Sequence, residues 1–253
     1  MWSPWLYALL FGFFTIVGIV EFYRISNNLG FTPQKGTGIA IGIATFLLLF
    51  LTAGEPWTGV SGKWLYILPA MVTTIPIIEL FRKKSTPTSD WAQTLFAVIY
   101  VALPFGLMSN LTYMPETHEF SGKIFLSFFI MVWISDTGAY CAGKLFGKHK
   151  MFERISPKKT FEGLGGGIAF TIASAIPIHY FVPELELWQW IVISIVTVTF
   201  ANLGDLAESM LKRNADIKDS GKLLPGHGGV LDRFDSALLA CPPVWLTIIL
   251  MTN

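Results

Sequence analysis

Apolar residues run through this chain in long blocks, and the polar residues gather into short clusters between them. Eight such blocks stand out, at residues 5–20, 38–53, 64–81, 92–109, 124–141, 164–182, 188–204 and 236–252. A run of about 17 apolar residues suffices for one bilayer crossing as a helix. The pattern predicts an all-α, polytopic integral membrane protein of about eight transmembrane helices. Composition agrees: 53% of the 253 residues are hydrophobic and the mean hydropathy is +0.56, which excludes a soluble domain.

The net charge of +1 carries little information, but the distribution of charge carries much. Arg24 and Lys35, then Arg82 to Lys84, then Lys144 to Lys159, then Lys212 to Arg233 lie in alternate inter-block segments. Together these segments hold 16 of the 18 Lys and Arg, and only Lys63 and Lys123 fall on the other side. The positive-inside rule makes the basic set cytoplasmic, with both chain termini outside. An extra or missing helix would spoil that partition. Trp2, Trp5, Trp57, Trp64, Trp91, Trp188 and Trp190 fall near block ends, as interfacial anchors do. Cys141 and Cys241 sit in apolar surroundings without ligand spacing and read as buried small hydrophobes. The first block follows no basic segment and precedes no A-x-A site, so it reads as a retained anchor rather than a cleaved signal. No internal repeat is visible, and one domain is expected, with N-terminal helices over 1–122 and a catalytic half over 123–253.

Residues 201–236, ANLGDLAESMLKRNADIKDSGKLLPGHGGVLDRFDS, differ in kind from the rest of the chain. Asp205, Glu208, Asp216, Asp219, Asp232 and Asp235 stand among Lys212, Arg213, Lys218, Lys222 and Arg233, in a chain only 14% charged. If the helix of the seventh block continues, Asp205, Glu208, Ser209 and Lys212 share one face. Pro225-Gly226-His227-Gly228-Gly229 predicts a tight turn that lets backbone approach a ligand closely. Hard cations such as Mg²⁺ take carboxylate oxygens together with substrate phosphates, and Lys and Arg balance polyphosphate charge. The pattern points to metal-assisted phosphoryl or nucleotidyl transfer. A solvated loop with scattered salt bridges is the plain alternative, but it has no need of the glycine turn.

Two further clusters lie upstream. Asp136, in Ile134-Ser135-Asp136-Thr137-Gly138-Ala139-Tyr140, places a carboxylate inside an apolar block, where an ionisable group is costly and suggests function; a structural bond to a neighbouring helix is the alternative. Ser156-Pro157-Lys158-Lys159-Thr160-Phe161-Glu162-Gly163 carries a helix-start signal, which would set Lys158 and Lys159 at a helix N-terminus, where phosphate binds. Anchoring at the cytoplasmic face is the other use of such a pair. Gly163, Gly165, Gly166 and Gly167 fit close helix packing better than a phosphate loop. His118, His149 and His179 have no partners at ligand spacing, and Glu21 with Arg24, like Glu79 with Arg82, reads as an interfacial i, i+3 pair.

Ser209-Met-Leu-Lys212-Arg213, Lys218-Asp219-Ser220-Gly221 and Pro225-Gly226-His227-Gly228-Gly229-Val-Leu-Asp232-Arg233-Phe-Asp235 resemble the signature of the phosphatidate cytidylyltransferases. The segments around Asp136 and Lys158 resemble that family's further motifs. Members usually begin with one more hydrophobic segment, upstream of the equivalent of 5–20, which is expected to be missing here. The resemblance implies condensation of CTP with phosphatidic acid to CDP-diacylglycerol and pyrophosphate, in a homodimer of the cell inner membrane with its active site at the cytoplasmic face. No nucleic-acid partner is expected. It implies an Mg²⁺-dependent centre on Asp205 and Asp232, with K⁺ as a possible second ion. Asp219 would be a supporting acid with Asp136 and Asp235. Lys212, Arg213, Lys218 and Arg233 would bind phosphate oxygens, with His227, Gly228 and Gly229 at the turn. Ser156, Lys158, Lys159 and Thr160 would hold lipid phosphate or nucleotide. Two other readings stay open: a CTP-using isoprenoid-lipid enzyme, which the full signature disfavours, and an ion-coupled transporter, which predicts inverted repeats and broken helices near the bilayer midplane, whereas the charges here cluster on one face.

Overall fold

A computed structural model describes residues 3–114, 119–221, 223 and 228–252. Among them are eight helical spans long and apolar enough to cross a bilayer: α1 (Pro4–Asn28), α2 (Lys35–Ala53), α3 (Gly62–Arg82), α4 (Pro87–Thr112), α5 (Lys123–Phe146), α6 (Phe161–Phe181), α7 (Leu187–Asn214) and α8 (Leu231–Thr252). Seven of the expected blocks lie wholly within one of them and the remaining one, 164–182, runs one residue past α6, so the protein is all-α and multi-pass. Several helices outrun their apolar blocks. α7 extends ten residues past Gly204, and at 1.5 Å per residue its 28 residues reach about 42 Å, beyond a hydrocarbon core of about 30 Å. α4 changes character midway, from α-helix to a π-helical turn at Val98–Ala102 and back. Pro104 follows two residues after it, and a wider turn accommodates a residue that donates no N–H.

One expectation fails at the start of α6. Ser156–Thr160 is not a helix N-terminus but a strand, β2, antiparallel to β1 (Lys150–Phe152). Thr160 is the N-cap, its hydroxyl accepting the Gly163 N–H at 3.1 Å. Lys158 and Lys159 therefore stand on the strand before the helix. The physical reason is that Ser156–Thr160 pairs as a strand with Lys150–Phe152, so that Thr160, at the end of the pairing, is the residue left to cap the helix.

The chain divides into two compact units, Met1–Asn110 with Leu211–Phe234, and Leu111–Met210 with Asp235–Asn253. The first has an aromatic core. Phe105 meets Phe234 edge-on with ring centroids 5.1 Å apart, Tyr7 stacks on Phe11 at 4.5 Å, and the Tyr23 hydroxyl donates to the Thr94 carbonyl at 3.1 Å. Glu79 accepts from Arg82 at 2.7 Å, the pair expected at i, i+3.

In the second unit α5 and α6 pack at backbone distance. A Cβ on Gly166 would lie 2.2 Å from that of Ala142, and one on Gly163 would lie 2.8 Å from the Ala139 carbonyl oxygen. Gly165 faces open space and takes no part. Lipid tails are as apolar as leucine, so such close approach replaces the hydrophobic effect as the source of cohesion. Trp190, expected as an interfacial anchor, is instead fully buried, its indole N–H donating to the Val182 carbonyl at 3.1 Å. Cys241 is buried as expected, but Cys141 is exposed, on a lateral apolar groove with Trp133 and Phe170.

Candidate active site

Two groups of polar side chains form, one in each unit. In the second unit, the end of α5, the β1–β2 hairpin, the start of α6 and the middle of α7 enclose a cavity of about 340 Å³. Asp136, Lys144, Lys158, Lys159, Thr160, Asn202 and Asp205 are among the residues that line it. Lys159 Nζ lies 2.7 Å from Asp205 Oδ2, and the Ser209 hydroxyl donates to Asp205 Oδ1 at 3.2 Å, one turn along α7 as the helical spacing predicts. Asn202 donates to the Val198 carbonyl at 2.8 Å and approaches the Ser135 hydroxyl at 3.5 Å. The hairpin is clasped to the helix start by Glu162, which accepts the backbone N–H groups of Lys148 and His149 and the His149 ring at 2.6 Å. His149, expected to be incidental, thus helps to hold the strand that carries Lys158 and Lys159.

In the first unit the centre is Asp232, in the first turn of α8. Its Oδ1 accepts Lys212 Nζ at 2.7 Å; its Oδ2 accepts the N–H of Ser220 at 2.8 Å, that of Gly229 at 2.7 Å and the Ser220 hydroxyl at 2.9 Å. Gly228 has φ +81°, and a Cβ there would also lie 2.6 Å from Asp232 Oδ2, so glycine is required on both counts. Behind this cluster lies Glu21 of α1, buried and bonded to Ser220, Val230 and Leu231. The expected interfacial pairing of Glu21 with Arg24 is replaced by these contacts.

Of the residues expected at the site, Asp136, Lys158, Lys159, Thr160 and Asp205 come together around the cavity, and Lys212, Asp232, Gly228 and Gly229 around the start of α8. Ser156 opens β2 and does not line the cavity. Arg213, Lys218, Asp219 and Arg233 are exposed, while Asp235 Oδ1 accepts the N–H of Ser236 at 2.6 Å. His227 lies outside the described residues, as do Lys222, Pro225 and Gly226. Sequence reasoning missed Glu21, Lys144, Asn202 and Ser220. The signal for Glu21 was present, since a carboxylate in Ile19-Val20-Glu21-Phe22 is as anomalous as Asp136.

The donor chemistry suits a hard divalent cation. Asp205 and Asp232 offer only oxygens, and each already holds a positive group at 2.7 Å in the form of a lysine ammonium. Among the described residues no three His, Cys, Asp or Glu cluster as a metal cage. Mg²⁺ needs none, because it commonly binds one or two carboxylates with water and substrate phosphates completing its shell.

Residues 1–251 match the model of a family described as the cytidylyltransferase family. Among curated proteins the chain is similar to a phosphatidate cytidylyltransferase of Staphylococcus epidermidis (strain ATCC 35984), with 38% identity over 188 residues, 72% of this chain and 70% of that protein. The phosphatidate cytidylyltransferases of Staphylococcus haemolyticus and of Staphylococcus aureus (strain COL) are each 36% identical to it, over 215 and 217 residues, in both cases 85% of this chain and 80% of theirs. With residues 1–251 matched and its acids, lysines and glycines arranged as described, the chain belongs to the cytidylyltransferase family.

Proposed function

We propose that this protein transfers the cytidylyl group of CTP to phosphatidic acid, leaving CDP-diacylglycerol in the bilayer and releasing pyrophosphate. The observation that carries this reading is the cavity in which two carboxylates and three lysines meet within an otherwise apolar helical chain. The similar phosphatidate cytidylyltransferases support the choice of substrates.

A phosphate oxygen of the lipid attacks the α-phosphorus of CTP, and the bond from that phosphorus to the bridging oxygen breaks, pyrophosphate leaving with the electron pair. Mutual repulsion of two anions is the main obstacle. Lys144, Lys158 and Lys159 offset it by supplying positive charge where phosphates enter. The Lys159–Asp205 pair orders both groups beforehand, and an arriving phosphate competes for the ammonium. Lys212 stands in the same relation to Asp232. Asp205 and Asp232 are each proposed as Mg²⁺ ligands; the ion would screen the triphosphate and favour departure of pyrophosphate. Asp136, Asp219 and Asp235 are proposed as supporting acids, and Arg213, Lys218, Arg233 and His227 as phosphate contacts. A K⁺ ion as second cation and a homodimeric assembly are proposed on the family resemblance. Residence in the cell inner membrane is proposed on the family resemblance, and a cytoplasmic side for the basic segments on the distribution of Lys and Arg.

The deciding experiment incubates the purified protein in detergent with labelled CTP and, in parallel reactions, phosphatidic acid or a polyprenol, with Mg²⁺ added or withheld. CDP-diacylglycerol should form with Mg²⁺ and fall by at least about 10²-fold without it. Labelling of a polyprenol instead, or no CDP-lipid at all, would overturn the assignment.

A further inference from the structure

A buried carboxylate from the first helix is built into the start of the last. Glu21 is only 6% exposed, in the middle of an apolar stretch of α1. Its Oε1 accepts the N–H of Val230 at 3.1 Å, and its Oε2 accepts the N–H of Leu231 at 3.0 Å and the Ser220 hydroxyl at 3.1 Å. That hydroxyl also lies 2.9 Å from Asp232 Oδ2. With a single hydrogen it serves one carboxylate at a time, and so joins the two acids through one side chain.

The surrounding backbone is shaped to admit Glu21. A Cβ on Gly221 would fall 2.0 Å from Glu21 Oε1, and one on Gly229 would fall 2.3 Å from the same atom. Burying a carboxylate is costly unless hydrogen bonds compensate, and a side chain at a helix's own N-cap would satisfy these N–H groups more simply. Val230, immediately before α8, has no such group. Glu21 supplies the cap from a position 209 residues away and, in the same contacts, holds Ser220, whose N–H and hydroxyl both reach Asp232.

We propose that Glu21 is a positioning residue for Asp232, setting the place of Ser220 and of the first turn of α8 and through them the direction in which Asp232 presents Oδ1. Glu21 touches neither substrate nor cation. The inference rests on the reading of Asp232 as a cation-binding acid of a cytidylyltransferase. A merely structural tie would change thermal stability and leave each folded molecule with normal kcat and normal dependence on Mg²⁺.

The test compares full-length wild type, Glu21→Gln, Ser220→Ala and Gly221→Ala in detergent. Three quantities are read: kcat for CDP-diacylglycerol, the Mg²⁺ concentration for half-maximal rate, and the rise in Tm produced by Mg²⁺ with CTP. Glu21→Gln keeps the shape and loses one acceptor. It should lower kcat about 10- to 100-fold, raise the Mg²⁺ requirement by a similar factor and diminish the Tm rise. Ser220→Ala should move the same three quantities in the same direction. Gly221→Ala displaces the same carboxylate, so the double variant with Glu21→Gln should be no worse than the weaker single one. If Glu21→Gln fails to fold, Ser220→Ala decides through its Mg²⁺ dependence. Wild-type values of all three quantities in Glu21→Gln, or in Ser220→Ala where that variant decides, would overturn the proposal, as would losses that multiply in the double variant. A wild type that makes no CDP-diacylglycerol would sink the assigned reaction instead, and the Tm rise with Mg²⁺ and CTP would still report on Glu21.

Discussion

Asp205 and Asp232 each carry a lysine ammonium at 2.7 Å, yet their surroundings differ. Asp205 faces a cavity and is a third exposed, whereas Asp232 is nearly enclosed and its Oδ2 takes three further hydrogen-bond contacts. Exchange of either carboxylate for an amide removes charge and little volume. Asp205→Asn and Asp232→Asn should each lower turnover by at least about 10²-fold, as loss of a preorganised charged group does. Initial rates of CDP-diacylglycerol synthesis at equal folded concentration check this; near wild-type synthesis would remove the residue from the cation-binding role. Asp232→Asn should also be the less stable of the two, because an amide nitrogen set against the N–H groups of Ser220 and Gly229 leaves donors facing donors. At this scale the acids and lysines could be read in advance from their density in a chain poor in charge. Glu21 could not be assigned, because Arg24 at i+3 offers a local partner and nothing in the order of residues shows that Val230 and Leu231 lie closer.

Helices α5 and α6 owe their contact to missing side chains. A Cβ added at Gly138 would lie 3.1 Å from the Gly166 carbonyl oxygen and one at Gly166 would lie 2.2 Å from the Ala142 Cβ, whereas one at Gly165 would meet nothing within 4 Å. Gly166→Leu should therefore force the helices apart and cost about 1–3 kcal/mol, as overpacking does, with a fall in Tm and loss of the monodisperse peak in size-exclusion chromatography. Gly165→Leu should leave both unchanged. Equal behaviour of the two variants would refute the packing account. The expected use of these glycines in helix packing matches the structure at Gly163, Gly166 and Gly167, and helix packing is legible because small residues at helical spacing have few other purposes in a membrane. The β1–β2 hairpin was not legible. Ser156-Pro157 is a valid helix opening by local chemistry, and the choice of Thr160 depends on strand pairing between Lys150–Phe152 and Ser156–Thr160, a contact between segments.

For the molecule as a whole, the eight spans and the partition of basic residues predict an orientation. Lys63 lies in the first turn of α3 and Lys84 just past its end, and both are exposed. Single cysteines at these places, on a Cys141→Ser background, should react with a membrane-impermeant reagent from opposite sides, position 84 from the cytoplasm and position 63 from outside. Labelling of both from one side would overturn the arrangement. The number of spans, their all-helical character and the identity of most of the polar residues that line the cavity were determined by the sequence alone. The bilayer makes them so: its thickness dictates helix length, and its low polarity makes each buried charge conspicuous. The tertiary structure alone decided which polar groups meet, from the clasp of Glu162 on the hairpin to the reach of Glu21 to the start of α8. Such pairings join residues far apart in the chain, and their distances are set by how helices pack, which leaves no periodic trace along the sequence.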